Sequence, residues 1–183
     1  MLFRSHKCIF IHVPRTGGTS IEWALEGKSV FNETPSEKHL TASASMEMYK
    51  EYWDSYFKFS FVRNPWDRVV SMYHIHWYEN INILSGKSLK SFLESYKPFG
   101  HEPVPCTLVN IIDQPLDFIG RFENLEFDFE FICSVLDVGE LELPHCTQTK
   151  HEHYTRYYDD ETRDMVADIY GEDIEYYGYE YDD

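Results

Sequence analysis

Residues 14–20 read Pro-Arg-Thr-Gly-Gly-Thr-Ser, an order of residue types suited to holding an anion. Arginine carries a permanent, forked cation. Adjacent glycines let a backbone come close to a ligand. The hydroxyls of Thr19 and Ser20 open a helix-like stretch, where they can cap the helix and donate hydrogen bonds. The first amides of a helix have no partner inside it, and the macrodipole adds positive potential there. Arg15, Thr16, Gly17, Gly18, Thr19 and Ser20 are therefore candidate anion ligands. A plain strand–helix turn with a surface arginine would give the same string, since Gly-Gly turns are common.

The segment "FSFVRNPWDRVVSMY", residues 59–73, repeats the idea. Arg63 closes an apolar run, Pro65 takes the favoured first turn of a helix, and Ser71 lies about two turns on. Arg63 and Ser71 can converge on one phosphate. Arg68 is either a third contact or the partner of Asp67, and the arginines could equally bridge acidic neighbours. Trp66 suits stacking on a base or burial against a sheet, and burial is the simpler reading. A ligand with two separated anionic groups would suit both segments.

The ATP-type pattern GxxxxGK[ST] is not met, because Thr19 follows Gly18 and the basic residue precedes the glycines. No apolar strand ends in an acidic residue placed to help hold magnesium. Metal-dependent phosphoryl transfer is disfavoured, and no metal is expected. His74 and His76, two apart on a helix, do not share a face. Cys146, His151 and His153 lack zinc-type spacing.

The elements that must position these residues follow from periodicity and punctuation. Strands are expected at 7–13, 56–63 and 116–122. Helices are expected from Thr19 to about Glu26, at 45–53, from Pro65, at about 88–96, at 124–136 and from Asp160 to about Tyr170. Polar loops fill 32–43 and 139–153, and a Pro/Gly-rich connector spans 97–106. Strands alternating with helices imply an α/β fold, a central parallel β-sheet flanked by helices in three layers. One domain over residues 1–183 is expected. Both anion segments then follow strands at the sheet edge where such folds bind ligands.

The formal net charge is −16, and its distribution matters more than its size. Residues 1–74 hold nine Lys/Arg against eight Asp/Glu, whereas residues 75–183 hold seven against twenty-four. Such a chain is a poor nucleic-acid binder. No apolar stretch is long enough to span a membrane. The start of the chain lacks the pattern of a secretory signal. Cys8, Cys106, Cys133 and Cys146 contain no CxxC pair, which fits a reduced, cytoplasmic setting.

Taken together, "PRTGGTS" and "RNPWDRVVSMY" resemble the two donor-binding segments of the PAPS-dependent sulfotransferases, particularly the carbohydrate (heparan-sulfate/chondroitin-type) branch. The likeness extends to "RFENL" at 121–125 and "YYDDETRDMVADIYGEDIEYYGY" at 157–179. It implies a P-loop NTPase-like sulfotransferase fold and transfer of a sulfuryl group from PAPS to an acceptor hydroxyl, leaving PAP and needing no metal. It assigns the 5′-phosphosulfate to residues 15–20 and the 3′-phosphate to Arg63 and Ser71. It makes His39, in "SEKHLTAS", the general base and Lys150 a phosphate or acceptor contact in a loop closing over the nucleotide. A carbohydrate is the acceptor it implies, although an acidic second half does not suit a polyanionic one.

One departure concerns Arg15, where such proteins usually carry a lysine. Arginine keeps the charge but cannot give up a proton at neutral pH. It is expected to stabilise the leaving phosphate electrostatically. Two rival readings are a nucleotide-dependent kinase and a non-catalytic nucleotide- or glycan-binding module on the same fold. The missing Gly-Lys-Ser/Thr argues against the first, and Arg15 in the lysine place keeps the second.

Overall fold

The computed structural model describes residues 1–28, 37–79, 88–95, 107–146 and 151–182, with side chains of 75–79 and 95 excepted. Lys150, the connector at 97–106 and part of the 32–43 loop lie outside them. The strands are β1 (Leu2–Phe3), β2 (Cys8–Ile11), β3 (Phe57–Val62) and β4 (Phe118–Arg121). The helices are α1 (Gly18–Glu26), α2 (Ala42–Met48), α3 (Lys50–Trp53), α4 (Pro65–Glu79), α5 (Leu89–Ser95), α6 (Leu108–Ile111), α7 (Leu125–Leu136), α8 (Asp160–Ile169) and α9 (Gly171–Tyr177). They fall into two compact units, each assembled from separate stretches of chain. One comprises Met1–Arg63 and Asn110–Thr147, the other Asn64–Val109 and Gln148–Asp183.

The first unit holds the sheet, ordered β1-β2-β3-β4. β2, β3 and β4 run parallel, with Phe10 opposite Phe59 and Phe61 opposite Gly120. These are the three expected strands, and with their helices they make the expected α/β architecture. The difference is β1, which pairs antiparallel with β2, Leu2 opposite Ile9, and makes the sheet mixed. Two residues are too few to show periodicity, and the reversal between β1 and β2 contains Lys7 at φ +50°.

Every residue of β2 is buried, as expected of a parallel strand covered on both faces. Cys8, Phe10, Phe59 and Phe61 form one face of the core with Ile21 and Leu25 of α1 and Phe129 and Ile132 of α7. Each such side chain contributes roughly 1.5–3 kcal/mol when fully buried. Gly120 is required inside β4, because a Cβ there would lie 2.5 Å from the Phe61 ring.

The expected helix at 45–53 is instead α2 and α3, interrupted at Tyr49. α2 starts earlier than expected because the Thr41 hydroxyl caps it, accepting the Ala44 N–H.

The second unit has its own core, in which Trp66, Val69 and Val70 of α4 pack with Leu89 and Phe92 of α5, Tyr154, and Val166 of α8. Trp66 is buried and donates its indole N–H to the Arg163 carbonyl at 3.0 Å. That supports the packing reading of this ring. A capping box, Asp159 with Thr162, starts α8. Asp173 of α9 is fully buried and accepts the Leu108 and Val109 amides at 2.7 and 2.9 Å. Among the described residues no helix is long and apolar enough to cross a membrane.

Candidate functional site

The chain leaves β2 through His12 and Val13 and turns sharply before α1. Arg15 holds φ +69° and Gly17 φ +81°, both in the left-handed region that only glycine enters without cost. Arg15 is held there in part by Arg63, whose guanidinium donates to the Arg15 carbonyl at 3.0 Å. The same guanidinium lies over the Phe122 ring, 3.9 Å from its centroid, in cation–π contact. Thr16 is buried and its hydroxyl donates to the Val13 carbonyl at 2.9 Å, closing the turn.

Gly17, not Thr19 or Ser20, is the N-cap of α1, and no side chain caps it. The helix begins at Gly18, one residue before the expected start, so Thr19 and Ser20 stand inside its first turn and cannot act as caps. Their hydroxyls serve other contacts. Thr19 Oγ1 accepts from the Lys38 ammonium at 3.3 Å, and Ser20 Oγ accepts the Cys146 N–H at 3.4 Å. An uncapped N-terminus in an arginine-bearing turn presents backbone amides to an anion. The glycines are required by space as well. A Cβ on Gly18 would lie 2.3 Å from His12 Nε2, and one on Gly17 would lie 2.7 Å from Leu125 Cδ2.

Behind the turn stands a cluster that sequence reasoning missed. The Nδ1–H of His12 is donated to Glu22 Oε1 at 2.7 Å. Glu22, fully buried in α1, also faces the Lys38 ammonium, 3.2 Å from Oε1 and 3.4 Å from Oε2. Burial holds His12 neutral by pushing its pKa down to about 4, against the opposing pull of Glu22. Hydropathy alone would turn Ile21, Trp23, Ala24 and Leu25 inward along α1. Trp23 is instead 42% exposed, while Glu22 is buried. The one available signal was the adjacency of Lys38 to His39.

His39 reaches the same place. Its Nδ1–H is donated to the His12 carbonyl at 3.2 Å, and its ring meets the His12 ring edge-on at 4.7 Å. A carbonyl only accepts, so neutral His39 carries its lone pair on Nε2. The residue is exposed on one side. The protein crowded around the other nonetheless lowers its pKa below the ordinary histidine value, chiefly by desolvation. The imidazole is therefore neutral at pH 7, as a proton acceptor must be.

The structure thus brings Arg15, Thr16, Gly17, Gly18, Thr19, Ser20, His39 and Arg63 into the first unit. Ser71 is buried in α4 of the second unit. Lys150 lies outside the described residues. His74, also in α4, donates Nδ1–H to the Val70 carbonyl and stacks on His151. A cavity of about 500 Å³ opens beside β1, lined by Arg4, Glu37, Tyr49 and Tyr52 among others. Glu37 accepts the Tyr49 hydroxyl at 2.6 Å and stands two residues before His39.

An uncharacterised protein of Archaeoglobus fulgidus is 32% identical over 94 residues, which cover 50% of this chain and 76% of that protein. No solved structure matches. The model of the sulfotransferase family matches residues 1–99 and 113–180, a span that includes the turn at 14–20, His39, Arg63 and Ser71. The chain belongs to the sulfotransferase family.

Proposed function

We propose that this protein is an O-sulfotransferase that takes its sulfuryl group from PAPS, releases PAP, and passes the group to a carbohydrate hydroxyl. The observation that carries the reading is His39, an exposed residue whose neutral imidazole donates Nδ1–H to the His12 carbonyl, which leaves Nε2 as the basic nitrogen. Such a ring beside an uncapped helix N-terminus is what an alcohol-sulfating site requires. The turn fits an anionic phosphosulfate, because its donors are amides, an arginine and hydroxyls and its glycines leave the backbone approachable.

When bound, PAPS supplies an SO₃ group on a phosphate leaving group. His39 Nε2 takes the acceptor hydroxyl's proton as the acceptor oxygen bonds to sulfur in line with the departing oxygen. Arg15 and the first amides of α1 stabilise the electron pair left on the phosphate as its bond to sulfur breaks. Arginine does this by charge alone, without giving up a proton. The sulfuryl group carries less negative charge than a phosphoryl group, so no bridging metal is called for. Arg63 and Ser71 are assigned to the 3′-phosphate on the motif resemblance alone.

A carbohydrate acceptor rests on the likeness to the carbohydrate branch, and the acidic second half of the chain favours a neutral glycan over a polyanionic one. A cytoplasmic setting goes with the same reading. Thermal unfolding with 3′,5′-ADP, and separately with ATP and magnesium, tests the donor. Ligand at a hundredfold its Kd adds about 2.7 kcal/mol, so stabilisation by 3′,5′-ADP without metal is expected. Stabilisation by magnesium-ATP alone would replace this reading with a kinase. Binding of 3′,5′-ADP with no turnover of PAPS on any glycan would reduce the protein to a binding module.

A further inference from the structure

Three separate elements meet on the carboxylate of Glu22. His12 comes from the end of β2, Lys38 from the segment that also carries His39, and Glu22 itself from α1. A fully buried carboxylate costs several kcal/mol unless it is paired and hydrogen-bonded. The core of the first unit has no packing use for it, since Ile21 and Leu25 already face the sheet. Its contacts run toward the reacting edge of the unit: through Lys38 to Thr19 in the first turn of α1 and to the neighbouring His39, and through His12 to the carbonyl that takes the His39 Nδ1–H.

We infer that Glu22 is a positioning residue for sulfuryl transfer, fixing the Lys38–His39 segment against α1 and setting the charge around the base. The inference rests on the reading of His39 as that base. Glu22 acts on His39 by two routes. It holds Lys38 next along the chain, and it fixes the Nδ1–H tautomer and orientation of His12, whose ring and carbonyl both touch His39. Among the described residues, the charged and titratable groups acting on His39 include Glu22, which strengthens its hold on a proton, and Lys38, which weakens it, with His12 in ring contact. The carboxylate and the ammonium therefore pull the base in opposite directions.

That opposition gives a test needing neither donor nor turnover. Imidazole titrations followed by ¹⁵N–¹H NMR on the full chain are compared for wild type, Glu22→Gln and Lys38→Met. The His39 midpoint is expected to fall in Glu22→Gln and to rise in Lys38→Met, while wild-type His12 shows a neutral ring protonated at Nδ1. A segment that has merely come loose would take up water, and its midpoint would rise in both variants. That result, or no shift in either, overturns the inference. Should Glu22→Gln fail to fold, the Glu22→Gln/Lys38→Met double variant removes both members of the buried pair. Its His39 midpoint is expected to return to near the wild-type value, and a midpoint as high as that of Lys38→Met alone overturns the proposal.

With PAPS and acceptor, Glu22→Gln is expected to lower kcat at least tenfold with little change in donor KM, and to move the acid limb of the rate profile to lower pH. Turnover that survives His39→Ala would overturn the base assignment while leaving the Glu22 arrangement intact. Dependence on His39 with unmoved midpoints would overturn this inference alone.

Discussion

The Nδ1 of His39 lies 3.2 Å from the backbone carbonyl oxygen of His12, across twenty-seven residues of sequence. One strand end thereby selects the tautomer of a side chain far along the chain. A general base contributes typically 10²–10⁴-fold to rate. His39→Ala is expected to lower kcat by about that factor while leaving the affinity for 3′,5′-ADP almost unchanged, measured by steady-state assay and calorimetry. Undiminished turnover would remove His39 from the reaction.

Gly18 is a packing requirement, not only a flexible point. Its missing Cβ is the space that the His12 ring occupies, and that ring is tied to Glu22. Gly18→Ala is expected to cost about 1–3 kcal/mol by urea denaturation and to weaken 3′,5′-ADP binding. The penalty should largely vanish in a His12→Ala background, and full additivity of the two changes would show that the clash is not its source.

The low pKa of His12 has a consequence for acid stability. Its folded value is about 4 against an ordinary 6.5, so the unfolded chain binds the proton more readily. Its contribution is complete above pH 6.5 and is lost as pH falls toward 4. The loss is on the order of 3 kcal/mol. His12→Asn, whose amide can still donate to Glu22, should lose less stability than wild type between pH 7 and 4.5. Parallel pH dependences in urea titrations would contradict this.

Arg63 is held by geometry that lysine cannot copy. Its guanidinium bonds the Arg15 carbonyl and stacks on Phe122 at once. Charged hydrogen bonds contribute about 1.5–3 kcal/mol. Arg63→Lys is therefore expected to weaken 3′,5′-ADP binding roughly 10- to 100-fold despite the conserved charge. Wild-type affinity in that variant, read by calorimetry, would mean that charge alone matters there.

What could be read from the sequence was what local pattern encodes. Phe57, Phe59 and Phe61 alternate along β3 and announce a strand, and Pro65 announces the start of α4. The glycine turn could be placed between a strand and a helix, but its residues alone fit a plain turn as well as an anion site. Glu22 and Trp23 run against hydropathy, which would send the tryptophan inward and the carboxylate out. The partners that reverse this lie ten and sixteen residues away, beyond any periodic window. Thr19 and Ser20 looked like caps because the true N-cap is a glycine with no side chain to reveal it. His39 was singled out by resemblance, and its contact with His12 depends on a loop path that no local rule describes.

The backbone passes between the two units at residues 63–64, 109–110 and 147–148, and this bears on how the protein is made. β3 is synthesised early, yet its neighbour β4 follows it in the chain only after residues 64–109 have been made. Until then one margin of β3 offers bare amides and carbonyls beside three phenylalanines, the kind of margin on which chains aggregate. A polypeptide truncated anywhere before Phe118 would keep that margin permanently, and no proteolytic cut at one place could release either unit whole. For this fold, trimming to a minimal domain is a route to inclusion bodies.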